Sequence, residues 1–433
     1  MSGMTLNATV ISLLLTGMPA AAQEPATATR YIDPVAGLTI AQAIDQGLRQ
    51  EPGLHETRTA IGAARGERRQ AALRPNPMVS AERREEVGGG DNQTMIGVEL
   101  PLDLFRRGAR VEAADRTIAV TERAAEDRER LLAAEIRDRI GIVLAAARRL
   151  DVLDALVEAS RRTVELLDAR VREGAAPPID RNVAAVELQR LRANRELAIG
   201  QADAAVAELK PLLGLAPESA LKLRNSLEAS ATGDSAESDA APTTRRADVL
   251  EAEAQVAAAE ARVVQVRQEA KPDIGVFASY MRMDAGFPQL AFGSSGALQP
   301  IHAIFHNAAG GVRVTVPVFN RSQGALAAAR ARSESAAYNL EARRLTAGAE
   351  VAAARARDAA ARRALTVYSS EARKMALRNL DVFRETYQLG RATLLDVLNE
   401  QRRYLDFETG YTDALAEAYA ARAALQRATG VVR

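Results

Sequence analysis

Two sets of residues in this chain have types and spacings that could do chemistry. His302 and His306 stand four apart, the separation that sets two imidazoles on one helix face within reach of one metal ion. They flank Ile304 and Phe305 in a stretch that reads as a loop between strands, and no third ligand is evident, so no metal is assigned. The second set is acidic. Asp180 and Asp396 each follow a glycine by six positions, Gly174 and Gly390. Thr393-x-x-Asp396 has the form of a capping box, and a carboxylate in the first turn of a helix is favoured by the helix dipole. Beyond these there is no phosphate loop, nucleophile elbow or acid–base cluster, so neither an enzyme nor a cofactor is expected. The chain has no cysteine, which excludes disulfides and thiolate metal sites. Its 57 basic residues balance 56 acidic ones, so no general field favours nucleic acid.

The elements that position the acidic pair occur twice. Val98-Glu99-Leu100-Pro101 running to Gly108 returns as Val314-Thr315-Val316-Pro317 running to Gly324, an offset of 216 positions. The same offset carries Gly174 to Gly390, Asp180 to Asp396, Leu209 to Leu425 and Gly214 to Gly430. A repeat of this length is one structural unit used twice. The first copy spans 23–215 and the second 245–433, joined by a linker at 216–244 rich in Ser, Ala, Asp and Glu that reads as a surface connection. Residues 1–22 read as a secretory signal ending at Ala20-Ala21-Ala22, although no Lys or Arg precedes Arg30.

Each copy holds a helix, a strand hairpin, a very long helix, a glycine turn and a return helix. The hairpins are expected at 78–104 and 274–319, the second around a longer loop. Ile96, Val98, Leu100 and Leu102 alternate on one face, as do Val312, Val314, Val316 and Val318. The long helices are expected at 106–172 and 322–389, and the return helices at 179–213 and 394–429. In the first long helix Ile136, Val143, Leu150, Val157, Val164 and Val171 recur every seven residues, the mark of a supercoiled seam. The fold class is therefore mainly α with a small β part.

No segment has the roughly 20 continuous apolar residues of a membrane helix. Amphipathic strands can sit in lipid only if their edges are bonded, which requires a closed barrel. Four strands cannot close, so several chains would share one, with eight, twelve or sixteen strands for two, three or four copies. Phe277, Tyr280, Phe287, Phe292, Phe305 and Phe319 crowd the second hairpin as an interfacial girdle would require.

The run Tyr387-Gln388-Leu389-Gly390-Arg391-Ala392-Thr393-Leu394-Leu395-Asp396-Val397-Leu398, with Gln401, Tyr411, Tyr419 and Thr429-Gly430, resembles the TolC-like outer-membrane efflux proteins. Val316–Gly324 matches them equally, and Leu73–Pro77 with the Phe319–Gly324 run resembles the heavy-metal and small-molecule efflux branch more than protein-secretion channels. The resemblance implies a homotrimer: a twelve-stranded outer-membrane β-barrel continuing into a periplasmic α-helical tunnel. It implies three kinds of partner, namely outer-membrane lipid, a periplasmic adaptor and an inner-membrane pump. Gly174, Ala175, Ala176, Gly390, Arg391 and Ala392 would then be the turns that an adaptor grips. Asp396 would line the pore constriction with Asn399 one turn on, where the family often has a second acid. The function implied is the exit channel of a tripartite efflux system for small molecules or metal ions. Two alternatives are the channel of a type I protein secretion system and a periplasmic coiled-coil scaffold or adaptor.

Overall fold

A computed structural model describes residues 30–87, 89–232, 245–368 and 370–432. The expected signal at 1–22, Gly88 of the first hairpin turn and residues 233–244 of the linker lie outside the described residues. Helix α1 (Ile40–Gln50) starts at a reciprocal capping box between Thr39 and Gln42. Glu51 then caps α2 (Pro52–Ala72) by accepting from the Gly53 and Leu54 amides, so the Pro52-Gly53 interruption is where a second helix begins. Strands β1 (Met78–Glu85) and β2 (Asn92–Pro101) follow, then α3 (Arg107–Arg172) and α4 (Pro178–Leu209). A short α5 (Leu227–Thr232) leads to the second copy. That copy comprises α6 (Ala247–Glu269), β3 (Asp273–Phe292), β4 (Leu298–Thr315), α7 (Gln323–Val367), α8 (Ser370–Gln388) and α9 (Leu394–Thr429).

Helix α3 is the spine. Its 66 residues rise about 100 Å, and α1, α2, α4, α6 and α9 all pack on it. The heptad positions Ile136, Val143 and Leu150 are at most 1% exposed, while Val157, Val164 and Val171 are partly covered. Around them the core is built from Leu132, Ile140 and Leu144 with Ala147, Ala202 and Ala418, small residues that let helices approach closely. Each fully buried Leu or Ile contributes about 2 kcal/mol.

The four strands form one antiparallel sheet in the order β1-β2-β3-β4, so the two hairpins pair through β2 and β3. On one face Ile96, Val98, Leu100, Val276, Tyr280, Val312 and Val314 are 38–62% exposed. Register places them together, with Ile96 opposite Tyr280, Leu100 opposite Val276, and Val276 opposite Val312. An apolar face this open on a sheet with two free edges does not suit water.

Four expectations need correction. The longer loop of the second hairpin is itself strand: β3 and β4 continue to a tight turn at 293–297, and His302 and His306 lie on β4. Pro288 and Pro300 disguised this, one beside a register shift between Phe287 and Leu290, the other on β4, where a missing N–H is tolerated at an edge. The long helix expected over 322–389 is two helices that part at Tyr368 (φ −81°, ψ 53°). There the ring of Tyr368 lies 5.5 Å from Phe407 and 6.1 Å from Tyr411. Gly410 makes room, since a Cβ there would sit 2.7 Å from the Tyr368 hydroxyl. The linker at 216–244 is built into the core in its first half, where Leu221, Leu223 and Leu227 are at most 8% exposed. Leu223 bridges both Ile32 and Leu38. Finally, the aromatics do not form one girdle. Phe277, Phe287 and Phe305 alternate onto the opposite face from Tyr280, and Phe287 meets Phe305 edge-on at 5.8 Å.

Candidate functional site

The candidate site is the end of the helical body farthest from the sheet, where the two glycine turns meet. Both close in the same way. Gly174 has φ 75° and Gly390 φ 74°, a left-handed conformation that costs any other residue strain. In the first turn the Ala175 amide donates to Arg170 O at 2.8 Å and Gly174 to Val171 O at 3.1 Å. In the second, Arg391 donates to Thr386 O and Gly390 to Tyr387 O, each at 3.0 Å. This paired bonding ends a helix sharply and leaves the loop exposed.

Sequence spacing foretold the turns but not what joins them. Leu167, Ala184, Tyr387, Leu394, Val397 and Leu398 form a separate apolar cluster, with Val164 and Ala392 packed on it. Arg170 completes the joint: its guanidinium donates to Gln388 O at 2.8 Å and lies over the Tyr387 ring at 5.7 Å. Burial pushes the Tyr387 phenol up, Asp180 adds to the rise, and Arg170 opposes it. Of the expected docking residues, Gly174, Ala175, Gly390 and Arg391 are exposed, Ala176 is half-buried, and Ala392 packs on the cluster.

Asp396 and Asn399 are exposed on the face of α9 that leaves this cluster, whereas Leu394, Val397 and Leu398 are buried in it. The Asp396 carboxylate is the reciprocal half of a capping box. It accepts from the Thr393 amide at 2.9 Å and hydroxyl at 2.6 Å, while its own amide donates to the Thr393 Oγ1 at 3.3 Å. Those Thr393 bonds hold its carboxyl below the usual aspartate value. Asp180 has no such partner: α4 begins at Pro177-Pro178 with no side-chain cap, and the Asp180 amide donates to Pro177 O. The two repeat mates have thus diverged.

The histidines are separated by their strand. Four residues on β4 span about 13 Å, too far for one ion. His302 packs over Gly90 and Gly286, whereas the Nδ1 of His306 is 2.6 Å from the Tyr280 hydroxyl and their rings stack.

A second constellation had no sequence signal. Glu408 on α9 is fully buried, and its carboxylate accepts from Arg148 of α3 at 3.1 Å and Arg373 of α8 at 2.7 Å. Arg148 also pairs with Glu228 of α5, and both guanidiniums lie over the Tyr411 ring. This network ties α3, α5, α8 and α9 together beside the Tyr368 break.

The sequence profile of the family described as outer membrane efflux protein matches residues 43–215 and 243–431, nearly the bounds of the two copies. The chain is 24% identical over 402 residues to the cobalt-zinc-cadmium resistance protein CzcC of Cupriavidus metallidurans, covering 91% of this chain and 90% of that one. It is 28% identical over 420 residues to the outer membrane protein OprJ of Pseudomonas aeruginosa, covering 89% and 83%. Among solved structures, CusC superposes with a TM-score of 0.70 at 19% identity, covering 95% of each chain. Both copies being matched along their length, the chain belongs to the outer membrane efflux protein family.

Proposed function

We propose that three copies of this outer-membrane efflux channel close a twelve-stranded barrel and a helical tunnel whose far tip docks a periplasmic adaptor. The observation that carries this reading is the pairing of two identically closed, exposed turns in one packed tip, at the opposite end of α3 from an open-edged apolar sheet. Free edges at β1 and β4 call for neighbouring sheets, and adjoining copies supply them without breaking symmetry. The exposed loops at Gly174–Ala176 and Gly390–Ala392 offer an adaptor two equivalent handles per copy, six around the trimer. Asp396 and Asn399, one turn apart on α9, line the entrance. Three Asp396 carboxylates around the axis favour cations there. A conduit must pass its cargo and not hold it, so the inner-membrane pump sets whether small molecules or metal ions travel through.

A photo-reactive residue at Ala175 or Arg391 should cross-link one periplasmic protein in cells. The same probe at Val35, on an exposed turn away from the tip, should not. Cross-links from both regions, or a chain that fractionates as a detergent-independent monomer, would overturn the docking reading. Growth of a deletion strain on cobalt, zinc and cadmium salts and on hydrophobic drugs then sorts the cargo class.

A further inference from the structure

We infer that the sheet carries a binding site for the phosphate of an outer-leaflet lipid headgroup, built around Arg282. This rests on the chain's place in the outer membrane and goes beyond its role as a duct. The site follows from the register. On the open apolar face, successive outward rungs read Val79–Val98–Ala278–Gly310, then Ala81–Ile96–Tyr280–Ala308. The next rung breaks the pattern: Arg83–Thr94–Arg282–His306.

The break falls where a bilayer should end. From Ala308 the outward apolar positions run through Val312 and Val314 and on to Val316 and Val318 beyond the strand. The strand part, Ala308 to Val314, rises about 20 Å, and the exposed Val316 and Val318 carry the apolar band on to the helical joint, against the roughly 25 Å height usual for a lipid-facing band. The lower edge lies at the helical joint, where Phe319 is 92% exposed. The upper edge lies on the side of the hairpin turns and thus faces outward from the cell. Tyr280 marks that edge, its hydroxyl held by His306.

The basic rung therefore sits at headgroup height. Arg83 and Arg282 flank Thr94 on strands about 10 Å apart. Arg83 shares its charge with Glu85, 2.6 Å away on the same strand. Arg282 is half-buried and has no acidic partner among the described residues. The next rung outward, Glu85–Asn92–Asp284–Ile304, carries two carboxylates, yet neither pairs with Arg282 among the described residues. A guanidinium at the rim of an apolar band, with a hydroxyl beside it, suits a phosphate whose acyl chains lie along the band below. Arginine on the opposite face is used differently, since Arg313 is paired with Glu99.

The test is native mass spectrometry of the detergent-solubilised trimer with bis-phosphorylated lipid A, the same glycolipid without phosphates, and inorganic phosphate as competitor. The wild type should bind the phosphorylated form about tenfold tighter than the dephosphorylated form, the size of one charge-assisted bond. Arg282→Gln should abolish that preference, Arg282→Lys should restore most of it, and Arg83→Gln should reduce it less. Arg313→Gln should leave it unchanged. Equal binding of both glycolipids by the wild type would overturn the inference, even with the channel in the outer membrane. So would an equal loss in the Arg313 variant, or displacement of the lipid by inorganic phosphate at like concentration, which would make the site one for free anions.

Discussion

The long helices of the two repeats share an ancestry in sequence yet differ in almost everything that packing can show. Helix α3 is continuous over 66 residues and buried on a wide face, whereas its counterpart parts at Tyr368 into α7 and α8, which bury few side chains. The clamps differ most. Arg107 and Arg110 of α3 donate to the last carbonyls of α2, and Arg106 just before it donates to Lys271 O beyond α6. Farther along, Arg130 and Arg137 donate to Arg427 O, Val431 O and Val432 O at the end of α9, and Arg170 to Gln388 O at the end of α8. A cation at a helix C-terminus satisfies stranded carbonyls and complements the dipole, and the guanidinium fork suits the task. At the mate positions of the second copy stand Ser322, Gln323, Leu326, Thr346, Ala353 and Thr386, none of which carries a cation; Gln323 and Thr386 donate only to carbonyls four residues back. The duplicated backbone was kept while its duties were divided. One rod became the spine to which helix ends are fastened. The other became a flank whose exposed Leu345, Val367, Met375, Val382 and Phe383 suit a neighbouring copy.

The largest expected effect is at the bond between spine and flank. Glu408→Ala would leave Arg148, largely buried, with Glu228 as its one remaining carboxylate partner among the described residues and would cut Arg373 loose. Removing one partner of a buried pair costs about 3–5 kcal/mol. The thermal transition of the purified trimer should fall accordingly, with proteolysis beginning near the α7–α8 break. A variant that melts like wild type would mean that the flank is not fastened through Glu408.

Next come the clamps. Arg137→Met should cost about 2 kcal/mol by freeing two carbonyls at the chain end, bonded now at 3.2 and 2.9 Å. Thr346→Met, at the mate of Arg130 in the exposed flank, should change stability by less than about 0.5 kcal/mol. Equal losses on urea unfolding would erase the distinction between spine and flank.

Much of this frame was legible in the sequence, and the exceptions have physical causes. The duplication, the glycine turns and the alternation of Ile96–Leu100 and Val312–Val318 are local patterns, and local patterns survive in a string of letters. The α7–α8 break was hidden because neither proline nor glycine marks it; it depends on Tyr368 finding Phe407, Tyr411 and the gap at Gly410. Leu221, Leu223 and Leu227 were hidden by their polar surroundings, as they dock singly onto a core formed elsewhere. At the tip, Gly174, Gly390 and the Thr393–Asp396 box could be read directly. Arg170 could not, because its partner is a carbonyl 218 positions away.

The tips give a smaller and more even effect. A Cβ at Gly174 or Gly390 would meet nothing within 4 Å, so replacement costs only backbone strain. Gly174→Ala and Gly390→Ala should each lose about 1 kcal/mol. Unequal losses would show that the two turns are loaded differently within the assembled channel.

The smallest expected change in stability is also the sharpest test of how the repeat mates diverged. Asp396 caps α9 and, by our proposal, places charge at the entrance, and two substitutions separate those roles. Thr393→Ala removes the hydroxyl of the box but keeps the carboxylate; Asp396→Asn keeps an acceptor for the Thr393 amide but removes the charge. Because the folded carboxyl titrates below its ordinary value of 3.8, its contribution to stability is present above that value and is lost as pH falls through the lowered one. Wild type and the Asn variant should therefore differ in pH-dependent melting only in strong acid. At neutral pH, in planar bilayers, wild type should conduct cations preferentially and be blocked by multivalent cations. Asp396→Asn should lose both properties with little change in melting, and Thr393→Ala should keep both while melting lower by roughly 1 kcal/mol. Asp180→Asn should change conduction less than Asp396→Asn does, and with no box to complete it should not lower melting. If Asp396→Asn conducts and blocks as wild type does, the carboxylate is only a cap, and the mates differ in how their helices begin and not in what passes between them.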